Sequence, residues 1–356
     1  MIYKNLNKYG LIPRFTQEAS LYNDLFLARI TEQNRNLYKA ISENGEISAE
    51  VSGKLLYNAS CSSDFPAVGD WVMIDRMDGS LGNAIIHHVL QRKSVFLRKA
   101  AGTSNTTQII ATNIDVVFIC MSLNADFNLR RLERYLSIAW NSMATPVIVL
   151  TKADLCDNLD MRLAEVYTVS VGTDVIVCSS VNNNGYQDVL SYIKDDMTIA
   201  FIGSSGVGKS TLINRLMGSD ILVTKGIRDD DKGRHATTRR ELLLLPNGGI
   251  VIDTPGMREL HLESANLSKS FEDIEELSTQ CRYRDCSHNL EPGCAVRKAI
   301  ETGELSLERF ENYNKLMKEI NYEGLNSRQM EEEKIKRMFG SKEELKKKRR
   351  DLKNNN

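Results

Sequence analysis

The chain has almost no net charge: 46 Lys and Arg stand against 47 Asp and Glu, a formal −1 over 356 residues. That excludes a global field drawing it to nucleic acid; any such attraction must come from a local patch. No apolar run is long enough to span a bilayer. Met1 to Phe15 lacks the apolar core of a secretion signal, so a cytosolic location is expected. Of the seven cysteines, Cys61, Cys120, Cys156 and Cys178 are scattered, the last three in or beside apolar runs. Only Cys281, Cys286 and Cys294 cluster. This is no disulfide framework; it points to a reducing compartment and one metal site. What remains, 42% hydrophobic residues, is enough for real cores in two or three domains.

One stretch organises the rest. Ile199 to Ile202 is an apolar run that leads into Gly203-Ser204-Ser205-Gly206-Val207-Gly208-Lys209-Ser210-Thr211, and Leu212, Ile213, Leu216 and Met217 then recur at helical spacing. This is the strand, glycine-rich loop and helix of a phosphate-binding P-loop. Glycines let successive N–H groups converge on one anion, and the helix adds its positive N-terminal end. Lys209 can reach the β- and γ-phosphates, and Ser210 can hold Mg²⁺.

Upstream, Met1 to about Arg98 reads as short strands, Leu25–Ile30, Leu37–Ile41 and Asp70–Asp75, separated by turns at Glu43-Asn44-Gly45 and Asp78-Gly79. This suits a small barrel of the OB type. Nucleic-acid binding and a purely structural role both stay open for it. Ala101 to Thr112 is polar and reads as a linker or exposed loop. An α/β rhythm begins at Ile114. Strands are expected at Asp115–Met121, Pro146–Leu150 and Asp174–Cys178, and helices at Leu129–Met143, Leu159–Val169 and Tyr186–Ile193.

Thr151-Lys152-Ala153-Asp154 follows the second of these strands and matches the [NT]-K-x-D element that selects guanine. Asp154 can accept hydrogen bonds from the guanine N1–H and 2-amino group, which adenine cannot supply. Ser179-Ser180, at the end of the third strand, fits the partner loop for the guanine oxygen.

After the P-loop helix, Val223 to Arg240 is polar and stands where a first switch loop would. Thr238 or Thr237 can bind Mg²⁺ there and sense the γ-phosphate. His235 either positions the attacking water or is a solvated loop histidine. Glu241–Leu245 and Gly249–Asp253 form a hairpin-like pair ending in Asp253-Thr254-Pro255-Gly256, the D-x-x-G element. Asp253 would reach Mg²⁺ through water, and the Gly256 N–H would contact the γ-phosphate. Met257 follows, where a water-orienting glutamine would be usual, so slow intrinsic turnover is expected. The base-reading element precedes the P-loop, which makes this a circularly permuted G domain. The chain leaves that domain directly after the second switch.

Beyond a helix around Phe271–Leu277, Cys281, Cys286, His288 and Cys294 can close a tetrahedral Cys₃His site, a composition typical of structural zinc. Helices are expected over Ala295–Thr302 and Leu305–Ile320. Lys334 to Lys353 is a local basic tail, suited either to phosphate backbones or to solvent. The expected domains are 1–98, 99–262 and 263–356: a multidomain α/β chain with an OB-type barrel, a permuted P-loop GTPase domain and a mostly helical zinc-binding domain.

Taken together, Thr151–Asp154, Gly203–Thr211, Lys232-Gly233-Arg234-His235, Asp253–Gly256 and Cys281–Cys294 resemble the ribosome small-subunit-dependent GTPase A family. The resemblance covers nearly the whole chain. It implies an OB-fold N-terminal domain, structural zinc on Cys281, Cys286, His288 and Cys294, and binding to 16S rRNA of the 30S subunit. It also implies a role in late maturation of that subunit, with GTP hydrolysis stimulated by it. The family often has three threonines after the switch histidine; here Ala236 replaces the first. GTP and GDP are the expected nucleotides, a membrane partner is not expected, and a monomer is. Two other readings remain: a GTP-regulated RNA-binding module with negligible hydrolysis, and an ATPase.

Overall fold

The computed structural model describes residues 3–34, 37–99, 107–179, 181, 184–218, 241–253, 267–289 and 291–321. Two short helices open it, α1 (Lys4–Asn7) and α2 (Pro13–Ala19). Pro13 sits at the first helical position, where its missing N–H costs nothing. Leu6 and Phe15 are buried with Trp71 and Leu90 beneath the barrel that follows.

The barrel uses β1 (Phe26–Asn34), β2 (Leu37–Ser42), β3 (Gly45–Val51), β4 (Trp71–Ile74) and β5 (Ala84–Val89), with α3 (Gly53–Asn58) between β3 and β4. β1, β2 and β3 form an antiparallel meander. β3 pairs in parallel with β5, β5 runs antiparallel to β4, and β4 returns antiparallel to β1. The sheet thus closes on itself with five strands, the OB-type arrangement. Ala28, Ile30, Ala40, Ala49, Val72, Ile74, Ala84 and Ile86 fill the interior. The alanines suit a barrel too narrow for large side chains from every strand.

The stretch expected to be a linker is partly a strand. β6 (Val95–Lys99) and β7 (Thr107–Thr112) form a two-stranded antiparallel sheet with Val95 opposite Thr112. Ile109, Ile110 and Ala111 are buried, and this short apolar run outweighs the polar residues around it.

The α/β domain follows: β8 (Val116–Ser122), α4 (Leu129–Asn141), β9 (Thr145–Thr151), α5 (Leu159–Tyr167), β10 (Asp174–Val177), α6 (Tyr186–Ser191), β11 (Thr198–Ile202), α7 (Lys209–Met217), β12 (Glu241–Leu244) and β13 (Ile250–Asp253). Strand order is β10-β9-β8-β11-β13-β12, parallel except for β12. β8 is buried at every position, as a strand covered on both faces must be. Separate apolar cores lie on the two faces of the sheet. The P-loop strand β11 is central although it comes fourth along the chain, so the permutation read from motif order holds in three dimensions. Glu241 on β12 pairs with Glu32 on β1, which makes barrel and α/β sheet one continuous surface of eleven strands.

Arg29 secures this junction from inside. It is 1% exposed. Its guanidinium donates to the Tyr9 carbonyl, to the Gly69 carbonyl at 3.2 Å and to Thr198 Oγ1 at 2.9 Å. Burial pulls it down to about 10, against the opposing fields of Asp115 and Asp70, so it remains a cation at neutral pH.

The C-terminal helices α8 (Glu272–Thr279), α9 (Ala295–Thr302) and α10 (Leu307–Asn321) do not build a separate core. Phe271, Ile274, Val296, Phe310 and Leu316 join the core that contains Leu132, Leu136 and Ile148 of the α/β domain.

Candidate nucleotide site and candidate metal centre

The phosphate loop spans the end of β11 and the start of α7. Gly203 has φ 143°, and a Cβ there would lie 2.4 Å from the Cys120 carbonyl oxygen on β8. Only glycine permits that approach. Gly208 caps α7 with φ 100°. The Lys209 amine folds back across the loop and donates to the carbonyls of Gly203 at 2.7 Å and Ser204 at 2.6 Å. Ser205, Gly206, Ser210 and Thr211 complete the loop and the first turn, while Val207 is buried beneath it.

The Thr151–Asp154 turn lies directly beside this loop. Thr151 Oγ1 donates to the Val207 carbonyl at 2.5 Å. Lys152 takes a left-handed conformation, φ 57°, which turns the chain sharply at the end of β9. Ala153 N–H donates to the Cys178 carbonyl at 3.2 Å. Ser179 Oγ donates to Asp154 Oδ1 at 2.6 Å, joining the end of β10 to the carboxylate of the Thr151–Asp154 turn. Thr151–Asp154, Ser179 and Gly203–Thr211, scattered over sixty residues of sequence, therefore form one constellation at the C-terminal ends of β9, β10 and β11, where ligands of open α/β sheets bind.

Asp253 ends β13, parallel to β11 and next to it. Ser180, His235, Thr237, Thr238, Gly256 and Met257 lie outside the described residues, as do Lys232–Arg234 and the basic tail 334–353.

Sequence reasoning missed one contact to the loop. Arg131, in the first turn of α4, donates from Nη1 to Ser204 Oγ at 2.6 Å. An arginine on an amphipathic helix reads as a solvent-facing residue, and no local signal marks this one.

The four clustered residues of the C-terminal domain converge. The ligand atoms of Cys281, Cys286, His288 and Cys294 all lie within 4.8 Å of one another. Cys281 Sγ is 3.9 Å from Cys294 Sγ, and His288 Nδ1 is 3.6 and 3.4 Å from those two sulfurs. Bonds of ~2.3 Å to sulfur and ~2.0 Å to nitrogen put tetrahedral edges at about 3.8 and 3.5 Å. The donor set and its spacing therefore fit a tetrahedral ion. Ser278 Oγ lies 3.2 Å from His288 Nε2, which leaves Nδ1 facing the thiols. Burial holds the His288 imidazole below its usual range against the nearby Glu291 and Glu275, and a neutral ring is what a ligand requires. Cys294 doubles as the N-cap of α9, its sulfur accepting from the Arg297 N–H at 3.4 Å.

Three comparisons bear on this geometry. The family model described as RsgA GTPase matches residues 89–263. A protein of Lactiplantibacillus plantarum, small ribosomal subunit biogenesis GTPase RsgA 2, is 53% identical over 96% of this chain and 97% of its own length. Its Listeria innocua counterpart, RsgA 1, is 45% identical over 89% of this chain and 90% of its own. Among solved structures, YjeQ from Thermotoga maritima superimposes with a TM-score of 0.61 at 26% identity, over 83% of this chain and 98% of that one. YloQ, described as a circularly permuted GTPase, gives 0.58 at 26% identity, over 84% and 96%. At 53% identity to a named RsgA protein over nearly its whole length, the chain belongs to the RsgA GTPase family and is a GTP-hydrolysing enzyme.

Proposed function

We propose that this GTPase binds the small ribosomal subunit, assists its late maturation, and leaves after a hydrolysis step that the subunit itself accelerates. The observation that carries the nucleotide part is the direct bonding of the two motifs, Thr151 to Val207 and Ser179 to Asp154. It makes recognition of the base and of the phosphates one geometric event. The ribosomal part rests on relatives named small ribosomal subunit biogenesis GTPases, which match nearly end to end.

In this reading Asp154 accepts from guanine, with Lys152 and Ala153 shaping the turn and Ser179 and Ser180 framing the base. Gly203, Ser204, Ser205, Gly206, Val207 and Gly208 enclose the phosphates with their backbone. Lys209 neutralises the β- and γ-phosphates, and Thr211 starts the helix whose positive end faces them. Ser210, Asp253 and Thr238 or Thr237 would hold Mg²⁺, which lowers the cost of charge on the transferring phosphoryl group. Water attacks the γ-phosphate, giving GDP and inorganic phosphate. With Met257 unable to orient that water, His235 is the candidate group. The metal on Cys281, Cys286, His288 and Cys294 is zinc and structural, since protein fills every position. The barrel, the metal-bearing domain and the basic tail supply contacts to 16S rRNA, and the protein acts as a cytoplasmic monomer with domains near 1–98, 99–262 and 263–356.

Single-turnover GTP hydrolysis with and without purified 30S subunits tests this. Acceleration of at least about a hundred-fold is expected from the scale of completed GTPase sites. An unchanged basal rate would instead favour a GTP-regulated RNA-binding module.

A further inference from the structure

Helix α4 is held on two opposite faces by two different parts of the molecule. Arg131 and Glu133 are two residues apart, roughly 200° around a helix. Arg131 reaches the phosphate loop at Ser204 Oγ, 2.6 Å away. The same Ser204 offers its carbonyl to the Lys209 amine. Asp126 lies 3.6 Å from the Arg131 guanidinium on the other side, and Asn128 caps the helix by accepting from the Arg131 N–H at 2.9 Å. Arg131 therefore touches the loop at Ser204, the residue whose carbonyl also receives the Lys209 amine.

Glu133, fully buried, faces the metal-bearing domain. Its carboxylate accepts from Arg309 Nη1 at 2.6 Å and from Asn312 Nδ2 at 2.6 Å, both on α10. Arg130 closes the group from α4 itself, at 2.8 Å. Arg309 also donates to Asp273 on α8 and to the Ser270 carbonyl. At the next residue of α4, Arg134 makes a two-pronged pair with Glu319 near the far end of α10, at 2.5 and 2.7 Å. A buried carboxylate cannot give up its partners without large cost, so α10 must follow α4 or break a desolvated network. Between these faces Leu132, Leu136 and Ala139 pack α4 as a rigid body into the core.

We propose that Arg131 is a positioning residue for the phosphate loop, and that α4 carries the state of that loop to the metal-bearing domain through Glu133 and Arg309. This route runs through packed helices. It is separate from the direct chain connection that leaves the G domain after Gly256. When the loop closes on a γ-phosphate, Ser204 and the Lys209 amine shift, Arg131 follows, and α10 is displaced with the helix that carries it. The coupling rests on nucleotide binding at Gly203–Thr211.

The test is hydrogen exchange on the full-length protein with GDP and with a non-hydrolysable GTP analogue, in the wild type, R131A, R131K and S204A. In the wild type, exchange across 307–321 should differ between the two nucleotides. R131A should lose at least about half of that difference and bind GDP about ten-fold more weakly, the scale of one charge-assisted hydrogen bond. R131K, which keeps a cationic donor, should retain most of the difference. S204A removes the other partner with α4 intact and should reproduce the loss seen in R131A, which keeps the test decisive where R131A folds poorly. A difference that persists undiminished in R131A and S204A, or none in the wild type, overturns the proposal. A fluorescent GDP titration on the same samples separates the two failures: a wild type that binds no guanine nucleotide removes the site assignment as well.

Discussion

Thr151 donates its hydroxyl to the Val207 carbonyl at 2.5 Å, so the first residue of the base-reading turn is bonded to the floor of the phosphate loop. Thr151 is 7% exposed and Val207 1% exposed, so water does not compete for this bond. The bond fixes the spacing between the Thr151–Asp154 turn and the glycine-rich loop, over which a base and its phosphates are proposed to be held.

Thr151→Val keeps the shape of the side chain and removes the donor. Affinity for GDP and GTP should fall by about five- to ten-fold, equally for both, with no change in the preferred base. Isothermal titration of both nucleotides measures it. A loss for one nucleotide alone would contradict a spacing role.

Asp154→Asn changes the base rather than the spacing. The carboxylate accepts from Ser179 Oγ on one oxygen. An amide would present a donor where guanine also presents donors, so GDP affinity should fall by at least about a hundred-fold. Xanthine has a carbonyl at position 2 in place of the amino group, and XDP should then bind more tightly than GDP. Competition between the two against a fluorescent nucleotide is the measurement. Unchanged GDP affinity would remove Asp154 from the base site and reopen the ATPase reading.

How much of this was legible in the sequence follows from how far apart the cooperating residues lie. The P-loop, the Thr151–Asp154 turn and the Cys₃His cluster each need a few residues at fixed short spacing, because one turn or one ion sets the geometry; all three appear in the structure where the spacing put them. Arg29 and Thr198 are 169 positions apart, and Glu133 and Arg309 are 176 apart. Nothing local distinguishes these arginines from solvated ones, so the joints between domains were invisible. β7 was misread because Thr107, Gln108 and Thr112 give it a polar look, while its pairing with β6 depends on a partner outside the window.

Arg29→Ala tests one of those joints. It removes a buried guanidinium from the Tyr9 and Gly69 carbonyls and the Thr198 hydroxyl, and leaves a cavity between barrel and α/β sheet. A destabilisation of about 3 kcal/mol is expected from orphaned acceptors and lost packing combined. Arg29→Met, which refills part of the volume without a donor, should cost less. Urea denaturation gives both values. A change below about 0.5 kcal/mol, the level of ordinary surface substitutions, would show that the joint rests on the β1–β12 pairing and on the bonds of Thr112 and Asn113 to Val68 and Gly69 rather than on Arg29.

Metal removal should act on a limited segment, because the C-terminal helices are also held by the core they share with the α/β domain and by polar contacts to α4 that do not involve the ligands. The metal ligands tie the 281–294 loop to the start of α9, where Cys294 also caps the helix. α10 is held separately, by Glu133 to Arg309 and by Arg134 to Glu319. Without the ion, three thiols and an imidazole within 4.8 Å of one another have no common partner, and the loop loses the free energy that closed it. Chelation, or Cys281→Ser, should therefore raise hydrogen exchange across 281–302 and leave 307–321 protected. GDP binding should survive, since Thr151 bonds to Val207, Asp154 to Ser179 and the Lys209 amine to Gly203 and Ser204, all away from that segment. Elemental analysis should find one zinc per chain in the wild type and none in the variant. Loss of protection in α10 to the same extent as in α9 would mean that the ion, rather than the buried Glu133 network, docks the domain.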